Sequence, residues 1–345
     1  MKRAPSLIVM GLILIMAASC GKAPSGPQDS GAGSTPPAHD DNRLRIGVMP
    51  KLIGIDFFNA TEKGARAAAE ELGVWVDFDG PVTNDVQLQV QMLETWIAKK
   101  YDAIAVAPND PDAIAPVLER ARERGIKVIT WDADSKPAAR NFFVSQCSAE
   151  SVARTLMDIM ADGVGPEAKY LFLTGSLTAA NQNIWMDEME KYRQKKYPKM
   201  QNLSSTPKVS EEDQALATQV TTDCLKTYAD LDGIFAITSV ALPGAAEGLR
   251  KAGAGDRVFL TGLSTPNGMK EYIKDGTLKR FALWNPVDLG YLAVHAAVAS
   301  AKGELMAGAE AFQAGHLGEC RIEKDVIVLG DPIVFDKDNI DTFDF

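Results

Sequence analysis

Two doubly wound parallel-sheet lobes of α/β class are what this sequence predicts, and three observations predict them. Short apolar runs recur along the chain, and nearly every one is followed by a segment of helical period, the signature of right-handed βαβ units. There are more such units than one sheet of usual width holds. A chain of 345 residues with a hydrophobic fraction of 46% also has the length and the apolar content for two cores.

The first unit sets the pattern. Leu44 to Met49 reads as a strand buried on both faces, Pro50 to Asn59 as a loop, and the following segment as a helix ended by Gly73. Asn59 is the expected cap of that helix, with Glu62 completing a capping box. The loop lies at the carboxyl end of a parallel strand, where open α/β sheets bind ligands. It carries Lys51 and two adjacent rings, Phe57 and Phe58, which suit the hydroxyls and the apolar face of a sugar.

Val74 to Phe78 is the next strand. A helix capped by Asn84 follows, with Val86, Val90, Leu93 and Ile97 on its buried face. Ala103 to Ala107 is a strand, Asp110-Pro111 opens a helix that Gly125 closes, and Lys127 to Thr130 is a strand leading to Trp131-Asp132-Ala133-Asp134. The alternation resumes with a strand at Tyr170 to Leu173, a loop at Thr174 to Asn183 and a helix through Trp185. A helix near Glu211 to Thr227, a strand at Gly233 to Ile237 and a helix ending near Gly253 come next. Then follow a strand at Val258 to Thr261, a helix through Met269 and Tyr272, and a strand at Arg280 to Trp284. A long helix at Asp288 to Ala301 precedes strands near Asp325 to Val328 and Ile333 to Phe335. No Pro/Gly-rich linker separates the lobes, so the connections are expected to be strand-like segments that act as hinges.

The N-terminus differs in kind. Lys2 and Arg3 precede an apolar run from Leu7 to Ala18, too short to span a bilayer and flanked as a signal peptide is. The ending Ala17-Ala18-Ser19-Cys20 resembles a bacterial lipobox, with Ala17 where leucine is usual, and marks Cys20 as a candidate lipidation site. Residues 21–42 are rich in Gly, Pro, Ser and Asp and read as a flexible tether.

The net charge of −10, with no basic block, gives no footprint for nucleic acid. Cys147, Cys224 and Cys320 form no CxxC pair or His/Cys cluster, which speaks against zinc, and they are expected as buried free thiols. No G-x-G-x-x-G follows the first strand, and neither a P-loop nor a G-x-S-x-G elbow occurs. His39, His295 and His316 all lie away from strand-end loops, so histidine acid–base chemistry has no place. No cofactor is expected.

What does gather at strand ends is polar: Asp132 and Asp134, Asn181 and Gln182, Thr238 and Ser239, Ser264, and Asn285. Carboxylates and amides in those places can meet sugar hydroxyls in fixed directions. Each has a plainer reading as a helix cap or turn residue, as Phe57 and Phe58 do as core and Lys51 as a solvated loop lysine. Trp131, Trp185 and Trp284 read first as core anchors.

Five segments together carry a resemblance: Pro50–Phe58 (PKLIGIDFF), Thr130–Asp134 (TWDAD), Asn181–Trp185 (NQNIW), Ser264–Asn267 (STPN) and Phe281–Pro286 (FALWNP). From about Leu44 onward the chain resembles the periplasmic sugar-binding proteins of ABC importers of the ribose type, and is closer still to the branch with autoinducer-2-binding and rhamnose-binding receptors. The resemblance implies a type I periplasmic binding protein, two lobes joined by three crossovers and closing on a ligand. It implies a first lobe of residues 43–146 and 265–325 and a second of 147–264 and 326–345, after a signal peptide (1–19) and a lipidated tether (20–42). Lys51, Asp132, Asn181, Gln182 and the stretch from Ile237 through Ser239 match ligand-contacting places; Phe57 and Phe58 match a ring pair, and Asn285 a polar contact near the last crossover.

Ala133 and Ser264 stand where ribose-type receptors carry arginine and aspartate. Asn181 stands where the autoinducer-2 branch carries aspartate, and Ile237 and Ser239 where it carries proline and alanine. The Asn181-Gln182-Asn183 and Leu283–Pro286 patterns look more like rhamnose-type receptors. The implied protein is a monomeric, membrane-anchored lipoprotein of the cell envelope that is not an enzyme and delivers a small sugar to an ABC permease. Other classes weighed against it are a sensory receptor for a membrane kinase, a carboxylate-pair enzyme on Asp132 and Asp134, and a DNA-binding repressor, whose helix-turn-helix position the signal peptide and tether occupy.

Overall fold

The computed structural model describes residues 42–345. The signal-peptide and tether readings and the Cys20 lipidation site lie outside the described residues. In chain order the elements are β1 (Arg45–Met49), α1 (Asp56–Leu72), β2 (Trp75–Phe78), α2 (Val86–Ala98), β3 (Ala103–Val106), α3 (Pro111–Glu123), β4 (Lys127–Trp131) and β5 (Phe142–Ser145). There follow α4 (Ala149–Val164), β6 (Lys169–Thr174), α5 (Ala180–Lys196), β7 (Gln201–Asn202), β8 (Lys208–Val209), α6 (Gln214–Thr227), β9 (Gly233–Ala236), α7 (Ala241–Ala252), β10 (Phe259–Gly262), α8 (Pro266–Lys274) and β11 (Phe281–Leu283). The chain ends with α9 (Pro286–Lys302), β12 (Ala311–Gln313), β13 (Glu319–Glu323), β14 (Val326–Val328) and β15 (Ile333–Phe335).

Two sheets carry the two lobes. In the first the order is β12-β13-β14-β5-β4-β3-β1-β2, parallel from β14 to β2, with β12 and β13 added antiparallel at one edge. The sequence of strands 2-1-3-4-5 is a doubly wound order whose switch point lies between β1 and β3, where ligand crevices form. The α1–α9 pair covers one face of this sheet and the α2–α3 pair the other. In the second sheet β10, β9, β6 and β7 run parallel, with β8 also on β6. Strands β11 and β15 pair antiparallel, and a bridge from Leu263 to Ala282 joins them to the end of β10.

The chain passes between lobes three times: from β5 into α4, from β11 into α9, and from β14 to β15. Two of these passages fall elsewhere than the sequence predicts. The segment 265–284, expected in the first lobe, packs against α7 and β10 of the second, and the return comes at Asn285-Pro286, where Asn285 caps α9. Strand β14, expected in the second lobe, pairs in parallel with β5 of the first. The tight turn at Lys324 (φ 63°) and the Arg140–Asp325 ion pair at 2.9 Å hold it there.

Helix starts also differ from expectation. α1 begins at Asp56, so Phe57 and Phe58 sit in its first turn instead of a loop, and Asn59 is an exposed helical residue with no capping role. Early entry buries both rings, and apolar burial outweighs a polar cap worth about 1 kcal/mol. The cap of α2 is Asp85, one residue past Asn84; its carboxylate accepts from the N–H groups of Gln87 and Leu88. Gly73 ends α1 in the left-handed region (φ 63°), as its residue type requires. Cys147, Cys224 and Cys320 are buried and free, and burial pushes each thiol up.

Helices α1 and α9 cross at Gly64 and Gly290. A Cβ on Gly64 would come 1.8 Å from the Val287 carbonyl oxygen, and one on Gly290 would come 2.0 Å from that of Thr61. Backbone meets backbone here, so no side chain can move aside. Gly64→Ala is expected to destabilise the protein by about 1–3 kcal/mol through overpacking. The check is the urea midpoint: it should fall with the slope unchanged, and an unaltered midpoint would mean the helices can separate freely.

Candidate functional site

The carboxyl ends of β1, β4, β6, β9 and β10 all face the space between the lobes. There they line a cleft with about 430 Å³ of empty space, the open solvent at its mouth included. The first lobe contributes Lys51, Leu52, Ile55, Phe57, Phe58 and Asp132; the second contributes Asn181, Gln182, Trp185, Glu212, Ile237, Thr238, Ser239, Leu263, Leu283 and Trp284.

Lys51 is placed from behind. The buried Gln89 amide donates to the carbonyls of Pro50 (3.1 Å) and Ala107 (2.8 Å) and accepts from the Asn109 N–H (2.9 Å). Asn109 in turn donates to the Lys51 carbonyl at 2.8 Å. This stitches the ends of β1 and β3 together at the switch point, so the backbone of Lys51 cannot drift. Its ammonium, 7% exposed, donates to Asn181 Oδ1 of the other lobe at 2.8 Å and lies 3.5 Å from Asp132 Oδ2.

Asp132 follows β4 in the left-handed region (φ 61°), a conformation aspartate tolerates better than most residues. Its N–H donates to the Val144 carbonyl at 3.2 Å, which keeps the turn in the sheet. Burial pushes its carboxyl pKa up; Lys51 pulls it down and Glu212 pushes it up again. Asn181 and Gln182 lie in the first turn of α5. Asn181 Oδ1 also accepts from the Gln182 N–H at 3.0 Å, and Gln182 Oε1 accepts from Gly175 N–H at 2.8 Å. The Thr238 hydroxyl, after β9, accepts from the Ala241 N–H at 3.1 Å where α7 begins and donates to Glu212 Oε2 at 2.8 Å.

The opposite wall is apolar and mostly aromatic. Phe57 and Phe58 meet edge to face at 5.1 Å; Phe58 does the same with Trp131 at 5.8 Å and Phe57 with Trp284 at 6.0 Å. Trp284 packs on Trp185 at 5.5 Å. This chain of rings runs from one lobe to the other.

Eight of the sequence-predicted residues therefore share the cavity: Lys51, Phe57, Phe58, Asp132, Asn181, Gln182, Thr238 and Ser239. Three do not. Asp134 holds the guanidinium of Arg140 through two bonds of 2.7 Å and serves the first lobe's sheet edge. The Ser264 hydroxyl donates to the Ser239 carbonyl at 3.0 Å, and Asn285 spends its side chain on the Val287 and Asp288 N–H groups and on the Asp288 carboxylate. Sequence reasoning missed Glu212. It follows β8, a strand of two residues that leaves no apolar run to notice, and its acidic neighbours looked like a helix start. Trp185 and Trp284, read first as core, line the cavity. Among the described residues, no group of three or more His, Cys, Asp or Glu is placed to hold a metal ion.

Four likenesses to known proteins bear on this geometry. Residues 46–305 match the family model of the periplasmic binding protein domain. A sugar ABC transporter from Actinomyces odontolyticus is 34% identical, with 88% of this chain and 98% of that one covered, at a TM-score of 0.71. LsrB from Clostridium saccharobutylicum in complex with AI-2 is 29% identical over 88% of this chain and all of that one, at 0.83. An ABC transporter solute-binding protein from Clostridium phytofermentas with bound L-rhamnose is 27% identical over 86% and 97%, at 0.82. With its two parallel-sheet lobes and the cavity between them, this chain belongs to the periplasmic binding proteins, as a type I sugar-binding member of the ribose-type superfamily and not an enzyme.

Proposed function

We propose that the cleft captures a small neutral sugar with one apolar edge, a rhamnose-like 6-deoxyhexose, and that the protein passes it to the permease of an ABC importer. Cys20, lipidated after removal of residues 1–19, would keep the protein at the membrane while the tether lets the lobes reach the permease. The observation that carries the reading is the two-sided cavity. Lys51, Asp132, Asn181, Gln182, Thr238 and Ser239 offer donors and acceptors along one side, whereas Phe57, Phe58, Trp185 and Trp284 offer mainly ring surface along the other, with the unpaired indole N–H of Trp284 among them. A sugar with a methyl group in place of its terminal hydroxyl has that same division. No covalent step is involved: closure of the lobes about the three crossovers is favoured by whatever ligand touches both at once.

The likeness to the rhamnose-bound protein supports this choice. A second reading, autoinducer-2, has the comparable likeness to LsrB behind it. Calorimetric titration with L-rhamnose, D-fucose, D-ribose and autoinducer-2 separates them, the tightest ligand naming the class. Silence from all four would remove the sugar reading.

Two further outcomes follow from the cavity. L-Rhamnose should bind more tightly than L-mannose, its 6-hydroxylated parent, by about 1–3 kcal/mol, because the extra hydroxyl is buried against the Phe57 and Phe58 rings, which cannot pair with it. Equal affinities would place the methyl end elsewhere. Asp132→Asn keeps the side-chain shape but removes the charged acceptor; affinity should fall roughly tenfold or more. Because burial raises the Asp132 pKa, the carboxylate takes up a proton above the usual aspartate range, so wild-type affinity should decline on acidification above that range. The Asp132→Asn protein should lack that decline. A wild-type affinity flat down to pH 4 would show that the charge on Asp132 does not touch the ligand.

A further inference from the structure

The sequence places Glu212 at a helix start and gives it no ligand role, yet the second lobe is built to hold its carboxylate, and α6 begins only at Gln214. Residues 211 and 212 both adopt left-handed backbone (φ 53° each), a conformation glutamate rarely takes and that persists only where the surroundings impose it. Gly175 leaves the room: a Cβ there would fall 1.9 Å from Glu212 Oε1. The Gln182 amide donates to Oε1 at 3.1 Å and the Thr238 hydroxyl to Oε2 at 2.8 Å, and both of those residues also line the cavity. A half-buried carboxylate is thus steered to the cavity wall and fixed from behind.

Charge decides what this arrangement selects. Among the described residues that line the cavity, Lys51 is the cation, and it lies against Asp132. The partners of Glu212 are an amide and a hydroxyl, which neutralise nothing. We infer that Glu212 is a ligand-binding and specificity-determining residue, accepting a sugar hydroxyl in the closed cleft and giving the site a surplus negative charge that turns away uronates and sugar phosphates. The inference rests on the proposed sugar-binding function and adds the charge class of the ligand to it. Consistent with proximity, Glu212 is among the groups that push the Asp132 carboxyl up. A carboxylate accepts an uncharged hydroxyl readily, whereas an anionic ligand in a low-dielectric gap meets direct repulsion.

The experiment is calorimetric titration of the wild-type protein, Glu212→Gln and Gly175→Ala. The probes are L-rhamnose, D-fucose and D-ribose, beside D-galacturonate and D-ribose 5-phosphate. The wild type should bind a neutral probe and neither anion. Glu212→Gln, which keeps the shape and the Thr238 contact, should bind the best neutral probe at least about tenfold more weakly, the size expected for one hydrogen bond to a charged group. It should also narrow the gap between neutral and anionic probes. Gly175→Ala should shift affinity in the same direction by displacing the carboxylate without removing it. Affinity of Glu212→Gln within twofold of wild type, or wild-type binding of an anion as tight as that of the best neutral probe, would overturn the inference while leaving sugar binding in place. No heat from any neutral probe with the wild type would overturn both.

Discussion

A buried ammonium has to be paired, and Lys51 meets that requirement with one group from each lobe. Desolvating a charge costs several kcal/mol unless a partner and further hydrogen bonds replace water. Asp132 supplies the countercharge from the same sheet, and Asn181 supplies a carbonyl oxygen from the other lobe. The rest of the cleft follows from keeping these three in place. Gln89 and Asn109 fix the backbone under Lys51, the left-handed turn aims Asp132, and the first turn of α5 brings Asn181 forward with Gln182 beside it. The lobes are therefore joined across the cavity by polar contacts of the kind a ligand's hydroxyls can exchange.

Much of this was legible in the sequence because parallel strands buried on both faces leave uninterrupted apolar runs, and the residue after each run is placed by the fold itself. Lys51, Asp132 and Thr238 could be located on that ground alone. The signal fails where elements are short or their partners are remote. Strand β5 and helix α4 fall outside the expected elements: Phe142 to Ser145 follows an irregular Pro137–Ala139 turn and alternates buried with half-buried positions, so no uninterrupted apolar run opens that unit. At one sheet edge β13 alternates exposed and buried positions and β12 has no fully buried residue, so neither shows a core-like run. Asp134 shares the strand-end position of Asp132 in sequence; only the fold shows Arg140 bound to it from six residues further on. Glu212 was hidden for the opposite reason, since nothing local announces that Gly175, far away in the chain, has been left empty for it.

The lobe boundaries teach the same lesson at larger scale. Periodicity identifies α8 and β11 as a helix and a strand but is silent on which sheet receives them. The second lobe claims them because the Leu263–Ala282 bridge and the β11–β15 pair extend its sheet toward the crossovers. The return passage then falls at Asn285, whose side chain is consumed in starting α9. A polar residue at a crossover can serve the hinge or the ligand, and the hydrogen bonds to Val287 and Asp288 show which of the two Asn285 serves.

The aromatic wall adds a constraint of a different kind. Rings from Trp131 to Trp185 touch in series, edge against face except in the tilted Trp185–Trp284 pair, and the contact between Phe57 and Trp284 spans the two lobes. Edge-to-face pairs have preferred geometry, each worth about 0.5–1.5 kcal/mol beyond area burial. Closure must therefore restore one arrangement of rings as well as one arrangement of polar groups. A ligand that fits the polar side but carries a hydroxyl toward the Phe57 and Phe58 rings would leave that group unpaired, at a cost of the same order as the ring contacts gain. The two walls thus act together: polar groups set which hydroxyls are read, and the rings set which face of the molecule must carry none.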